Sequence, residues 1–175
     1  MFVELIATFV AGIACAGLVM LLNRLTGQRL PRWLTPVAAG AGMLAVTISN
    51  EYTWFERTSA ELPEGLEVAL TVEEQSWLRP WTQAYPFTKR FVAVDVGTAR
   101  RNENQPDQAL VDLFFFGRWS PVNQAPVLFD CAGNRTALLI DGAEFGPDGT
   151  VKNAAWEPVA PDDAILALVC QAPDA

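Results

Sequence analysis

Residues 5–22 read LIATFVAGIACAGLVMLL, a run with no charge and nothing more polar than Thr8. At about 1.5 Å per helical residue the run covers about 27 Å, close to the hydrocarbon thickness of a bilayer, so it is expected to span one. A cleaved secretory signal opens with basic residues. Here only Glu4 precedes the apolar core and the first Arg is Arg24, so a signal peptide is not expected. Cys15 ends a GIAC run, but Gly12 and the missing basic start argue against a lipoprotein cleavage site, and Cys15 is read as a small membrane-helix residue.

A second, shorter apolar stretch, WLTPVAAGAGMLAVTIS at 33–49, follows after the ten-residue link NRLTGQRLPR. Two such segments side by side are expected to form a transmembrane helical hairpin within residues 1–54, with helices at about 3–22 and 33–50. The competing reading is a pair of buried helices in a soluble domain. Pro36 falls in the first turn of the second segment, where its missing N–H is tolerated. Small residues recur at four-residue spacing, Ala11 with Cys15, Gly12 with Ala16, Ala38 with Gly42 and Ala41 with Ala45. That spacing lets helix backbones approach closely, against each other or against another membrane protein.

The link carries Arg24, Arg29 and Arg32 and no acid. Basic residues beside a span resist translocation, so the link is expected in the cytoplasm and both termini outside it, which in a bacterial inner membrane means the periplasm. Tyr52, Trp54 and Phe55 after the second segment have the composition of an interfacial aromatic anchor, and Trp33 suits the opposite interface.

Apart from Glu4, every acidic residue lies at or beyond Glu51, and residues 51–175 hold 19 Asp or Glu against 9 Lys or Arg. Such an acidic region excludes nucleic acid as a natural partner. It also disfavours lying flat on anionic lipid. Short apolar runs separated by turn residues predict a small antiparallel sheet over 55–175, which makes the fold class α+β. The strands are expected at 64–70 and 89–96, then within ALVDLFFFGRW, QAPVLFDC, RTALLIDG and GTVKNAAW. Gly133-Asn134 and Pro147-Asp148-Gly149 supply turn chemistry. Thr71-x-x-Glu74 is a capping-box pattern that predicts a short helix ending near Pro80. The polar piece RRNENQPDQ at 100–108 predicts a loop, and PDDAILALVC a C-terminal helix with Asp162 and Asp163 in its first turn. Trp77, Trp81 and Tyr85 recur at intervals of four; the stripe is read either as core or as a surface for a membrane or partner.

Cys131 and Cys170 fall in the outer region, and in an oxidising compartment they are expected to pair. Two buried free thiols are the alternative. No histidine is present, which removes Ser-His-Asp and Cys-His catalysis and His-ligated metal sites. There is no CxxC, phosphate loop or GxGxxG. Glu73-Glu74 and Asp162-Asp163 are read as solvated helix starts rather than catalytic pairs. DGAEFGPDG, with Asp141, Glu144 and Asp148, departs from EF-hand spacing and is assigned to turns. No cofactor, metal or enzymatic activity is expected.

Over residues 127–170, VLFDCAGNRTALL, then DGTV, then W-EPVAPDDAILALVC, the chain resembles the surface-adhesin E type of small exported bacterial domain. The resemblance implies a β-rich domain bridged from Cys131 to Cys170 in a Gram-negative envelope. This chain differs in having a two-helix start in place of an ordinary signal peptide.

The reading that follows is a non-enzymatic accessory, assembly or scaffolding protein of an inner-membrane complex, of the respiratory or photosynthetic kind, with the lipid bilayer and an integral-membrane protein as partners. The alternative is a periplasmic ligand- or peptide-binding module on a membrane anchor. A hydrolase built on carboxylates is a distant third.

Overall fold

In the computed structural model the first apolar run is helical from Phe2 to Leu25 (α1) and the second from Leu34 to Ala60 (α2). The structure describes residues 2–139, 144–146, 151–152 and 154–172. The chain divides into two compact units, residues 1–57 and 58–175.

Within the first unit, α1 is the one helix among the described residues that is long and apolar enough to cross a membrane; its mean hydropathy is 2.5 and 6% of its apolar stretch is buried. α2 does not stop near residue 50. It continues through Asn50 to Ala60, because NEYTWFERTS contains no Gly or Pro to end it. Any eighteen consecutive residues of α2 therefore include Asn50 and Glu51, which is why its greater length brings no second strongly apolar span. Trp54 is buried and Tyr52 and Phe55 are half-buried, whereas Trp33 is exposed.

The link between the helices is an ordered turn. Asn23 Oδ1 accepts a 2.9 Å hydrogen bond from the Leu30 backbone N–H. Gly27 and Gln28 take left-handed backbone conformations, at φ 71° and 61°. For Gly27 that geometry carries no steric cost.

The second unit is mixed helix and antiparallel sheet. Its strands are β1 (Leu66–Glu74), β2 (Phe87–Asp95), β3 (Arg100–Asn102), β4 (Gln105–Gly117), β5 (Ser120–Asp130), β6 (Arg135–Leu138), β7 (Glu144–Phe145), β8 (Val151–Lys152) and β9 (Trp156–Pro158). A one-turn helix, α3 (Trp81–Ala84), interrupts the β1–β2 connection, and α4 (Ala164–Gln171) comes last. The main sheet runs β1-β2-β4-β5-β6-β9, and β7 pairs separately with β8. Long β4 serves two neighbours on one side: its Leu113–Gly117 half pairs with β2, and its Gln105–Leu110 half pairs with β3.

Two local expectations are corrected here. Thr71-x-x-Glu74 does not start a helix: residues 66–74 form edge strand β1, paired with β2 from Leu66↔Asp95 to Glu74↔Phe87. The alternation of Leu70, Val72 and Glu74 with Thr71 and Glu73 suits a pleated edge, and cross-strand pairing outweighs one cap. The polar piece 100–108 is no free loop either, since most of it is the β3–β4 hairpin. Pro147-Asp148-Gly149, Asp141 and Asp148 lie outside the described residues.

The main core cluster lies on the face of the sheet that α4 covers; on the other face Phe91, Ala93, Leu128 and Ala137 are also buried. Val92 and Val94 of β2, Val111 and Leu113 of β4, and Val127 and Phe129 of β5 are buried with Leu166 and Val169 of α4. The period of three in α4 places Leu166 and Val169 on one stripe.

Candidate partner-facing surfaces

Four arrangements merit attention as functional surfaces. The first is the seam between α1 and α2. Gly12 is buried and lies against the Met43 side chain; Gly42 lies against the Cys15 side chain, with Ala11 O 3.3 Å from where a β-carbon would stand. Arg57 Nη2 is 3.7 Å from Glu4 Oε1. These contacts pair the start of one helix with the end of the other, so the helices run antiparallel. Of the small residues at four-residue spacing, Ala11, Cys15, Ala16, Ala38 and Gly42 are half-buried, but Ala41 and Ala45 are exposed. The four α2 positions span an arc of about 100°, and the seam lies toward its Ala38–Gly42 side.

The second is α4, held at both ends. Asp163 does not sit in the first turn but immediately before it, where its Oδ1 accepts from Ile165 N–H at 2.9 Å and Leu166 N–H at 3.0 Å. At the other end the Arg101 guanidinium donates to Val169 O at 2.9 Å and Ala172 O at 2.8 Å. That cation meets the negative end of the helix dipole, where Val169 O also accepts the Ala172 N–H at 3.3 Å. A Cys131–Cys170 disulfide, Cα–Cα 5.8 Å, joins the end of β5 to α4.

The third is the β5–β6 turn. Asn134 adopts φ 47°, a conformation that Asn tolerates better than most residues. Asp130 accepts from Gly133 N–H at 2.9 Å and from Arg135 Nε at 2.7 Å. Burial pushes the Asp130 pKa up, but the Gly133 bond, the Arg135 bond and charge, and the Ala132 N–H together hold it below its ordinary value. The Arg135 guanidinium also lies 4.6 Å from the centre of the Trp156 ring. A lowered, paired carboxylate is a poor proton donor or acceptor near neutrality, and this turn reads as architecture.

The fourth is the segment between β1 and β2. Thr82 is buried; its hydroxyl accepts from Ser76 N–H at 2.9 Å and lies 2.7 Å from Arg79 O. This knot ties Ser76 to α3 and leaves the aromatic side chains outward. Trp77 and Tyr85 are 81% and 73% exposed and Trp81 is 38% exposed, so the stripe belongs to the surface rather than to the core.

Two shallow apolar clefts lie on the α4-bearing face. One of about 360 Å³ is lined by Leu113, Phe129, Leu138, Val159 and Ile165; the other, of the same volume, by Val72, Arg90, Val92 and Phe115. Among the described residues no group of three or more His, Cys, Asp or Glu is placed to hold a metal ion. The signal that sequence reasoning missed was Arg101, hidden in a stretch that reads as loop. Comparison of the chain with protein-family models, with curated proteins and with solved structures finds no match in any of the three.

Proposed function

We propose that this protein is a non-enzymatic, membrane-anchored accessory, assembly or scaffolding component of an inner-membrane complex. One observation carries the reading: α1 is apolar on all sides and almost unburied within its own chain. The core helix of a soluble protein hides such a surface, so the exposed surface of α1 calls for lipid or a second membrane protein. In this reading α1 and α2 cross as a hairpin, the Arg24–Arg32 link stays in the cytoplasm, and residues 58–175 stand in the periplasm, where the Cys131–Cys170 bridge is chemically at home. The Asn50–Ala60 extension of α2 then projects beyond the bilayer. A span pair of this size encloses no transport path, and its remaining faces are free for helices of a partner.

The periplasmic binding-module reading, which the adhesin E resemblance suggests, is favoured by the cleft beside Ile165 and Phe129. The two readings separate by where the partner sits. Purification of the tagged protein in mild detergent is expected to bring down an integral-membrane protein. Recovery of the chain alone, under conditions that keep other envelope assemblies intact, would refute the accessory reading.

A further inference from the structure

One end of the sheet differs from the rest of the domain in both charge and surface. The register Glu74↔Phe87, Arg90↔Gly117 and Gly117↔Ser120 brings the β1–β2 segment and the β4–β5 turn to the same end. The Arg118 N–H donates to Lys89 O at 3.1 Å and fastens the turn to the start of β2. From the first connection Trp77, Leu78 and Tyr85 stand out, and from the second Trp119 at 59% exposure. The Arg118 guanidinium lies over the Trp119 ring, 4.9 Å from its centre.

The charge here runs against the domain average. Half of the eight basic residues in 58–175, namely Arg79, Lys89, Arg90 and Arg118, belong to this end. Its acids are Glu73 and Glu74, and Glu74 is paired with Lys89. Residues 75–86 contain no acid at all. This end is therefore net basic within an acidic domain.

We infer that this aromatic, basic end of the sheet is a foot that rests in the headgroup layer of the bilayer in which α1 is anchored; the inference rests on the membrane reading of α1. Indole and phenol rings pair an apolar body with a polar tip, which suits the region between hydrocarbon and water. Arg stems reach along such a surface with their charge in water or on phosphate. Chain lengths permit the contact. The α2 residues Asn50–Ala60 rise about 16 Å past the apolar stretch, and nine-residue β1 extends about 30 Å. β1 is thus longer than the height at which α2 releases the chain. Tethering also makes the contact intramolecular, so a small foot suffices where a free domain would need a larger one.

The test uses the full chain in phosphatidylcholine vesicles, in a Cys15→Ala background with the Cys131–Cys170 bridge intact. Spin labels are placed singly at Leu78→Cys, Trp119→Cys, Glu103→Cys in the β3–β4 turn at the opposite end, and Ile13→Cys on α1. Collisions with oxygen, which concentrates in lipid, are compared with collisions with a water-soluble nickel chelate. The foot predicts an oxygen-to-nickel ratio several-fold higher at 78 and 119 than at 103. A water-like ratio at 78 and 119, with a lipid ratio at 13, overturns the foot and leaves the anchor standing. Shielding of 78 and 119 from both reagents means that a protein covers this end, which overturns the foot equally. A water-like ratio at 13 overturns the anchor itself.

Discussion

Arg101 donates a 2.9 Å hydrogen bond to the carbonyl oxygen of Val169, sixty-eight residues further along the chain, and so closes the C-terminal end of α4 from strand β3. Hydrogen bonds to charged groups are worth about 1.5–3 kcal/mol, more than a typical neutral bond. Arg101→Met should therefore cost about 2 kcal/mol in the unfolding of the full protein in detergent, followed by urea titration. Arg101→Lys should recover only part of it, since a single ammonium cannot reach Val169 O and Ala172 O with the same fork. Equal stability of Arg101→Met and the unaltered protein would show that water caps α4 as well as the guanidinium does.

The Cys131–Cys170 bridge closes a loop of 39 residues and ties α4 to the end of β5. By loop-closure entropy such a bridge contributes about 4 kcal/mol. Cys131→Ser with Cys170→Ser should lower the urea midpoint accordingly and make α4 the first element to exchange its amide hydrogens. Unchanged exchange in α4 would show that Leu166, Val169 and Arg101 hold the helix without the bridge.

Both features bear on how much the amino-acid sequence discloses. The helices, the strand-rich domain and the cysteine pair are legible because each follows from local chemistry: an uncharged run, an alternation, two cysteines in the one acidic region. Asp163 was visible as an acid before an apolar run, and only its place, one residue before the helix instead of within it, needed coordinates. Arg101 was not visible at all. Its value arises from a contact across the chain, and a polar neighbourhood such as RRNENQPDQ carries no periodicity to betray a hairpin. Thr71-x-x-Glu74 misleads for the same reason: a cap contributes about 1 kcal/mol locally. Pairing of β1 with β2 along its whole length decides the matter. The Trp77–Tyr85 stripe fits core and surface equally by spacing alone; Thr82, buried among them, takes the interior position and leaves the rings outside.

Asp130 gives the domain a defined response to acid. Its pKa is lowered in the fold, so on acidification the unfolded chain takes up the proton first. The stabilisation is complete above the unfolded value of about 3.9 and is lost as pH falls through the lower, folded value. Thermal unfolding followed from neutrality down into this acid range should show a smaller loss for Asp130→Asn than for the unaltered protein. At neutral pH Asp130→Asn should already be less stable, because it cannot hold Arg135 by charge. An acid slope that Asp130→Asn leaves unchanged would place the effect on other carboxylates.

The antiparallel seam supplies the sharpest test of the hairpin, because its two glycines differ in what faces them. At Gly12 the neighbour is the flexible end of Met43, which can swing aside; at Gly42 the neighbours include the Cys15 β-carbon and the backbone oxygen of Ala11, which cannot. A bulky residue forced against packed backbone costs about 1–3 kcal/mol. In a Cys15→Ala background, which keeps the residue-15 β-carbon and Ala11 O against Gly42, Glu4→Cys with Arg57→Cys replaces the ion pair by two thiols that a short bifunctional maleimide can join, and the yield of that bridge reports how well the helices are aligned. Gly42→Leu should lower the yield severalfold, Gly12→Ala should lower it slightly, and Ala41→Leu, on an exposed face, should leave it unchanged. Were Ala41→Leu to abolish the bridge while Gly42→Leu spared it, the helices would pack through the face carrying Ala41 and Ala45, and the seam through Gly12 and Gly42 would be wrong. A partner helix is a different matter: Ala41→Leu is then the variant expected to weaken co-purification while the hairpin stays closed, since small residues left outside one seam are the surface available to the next.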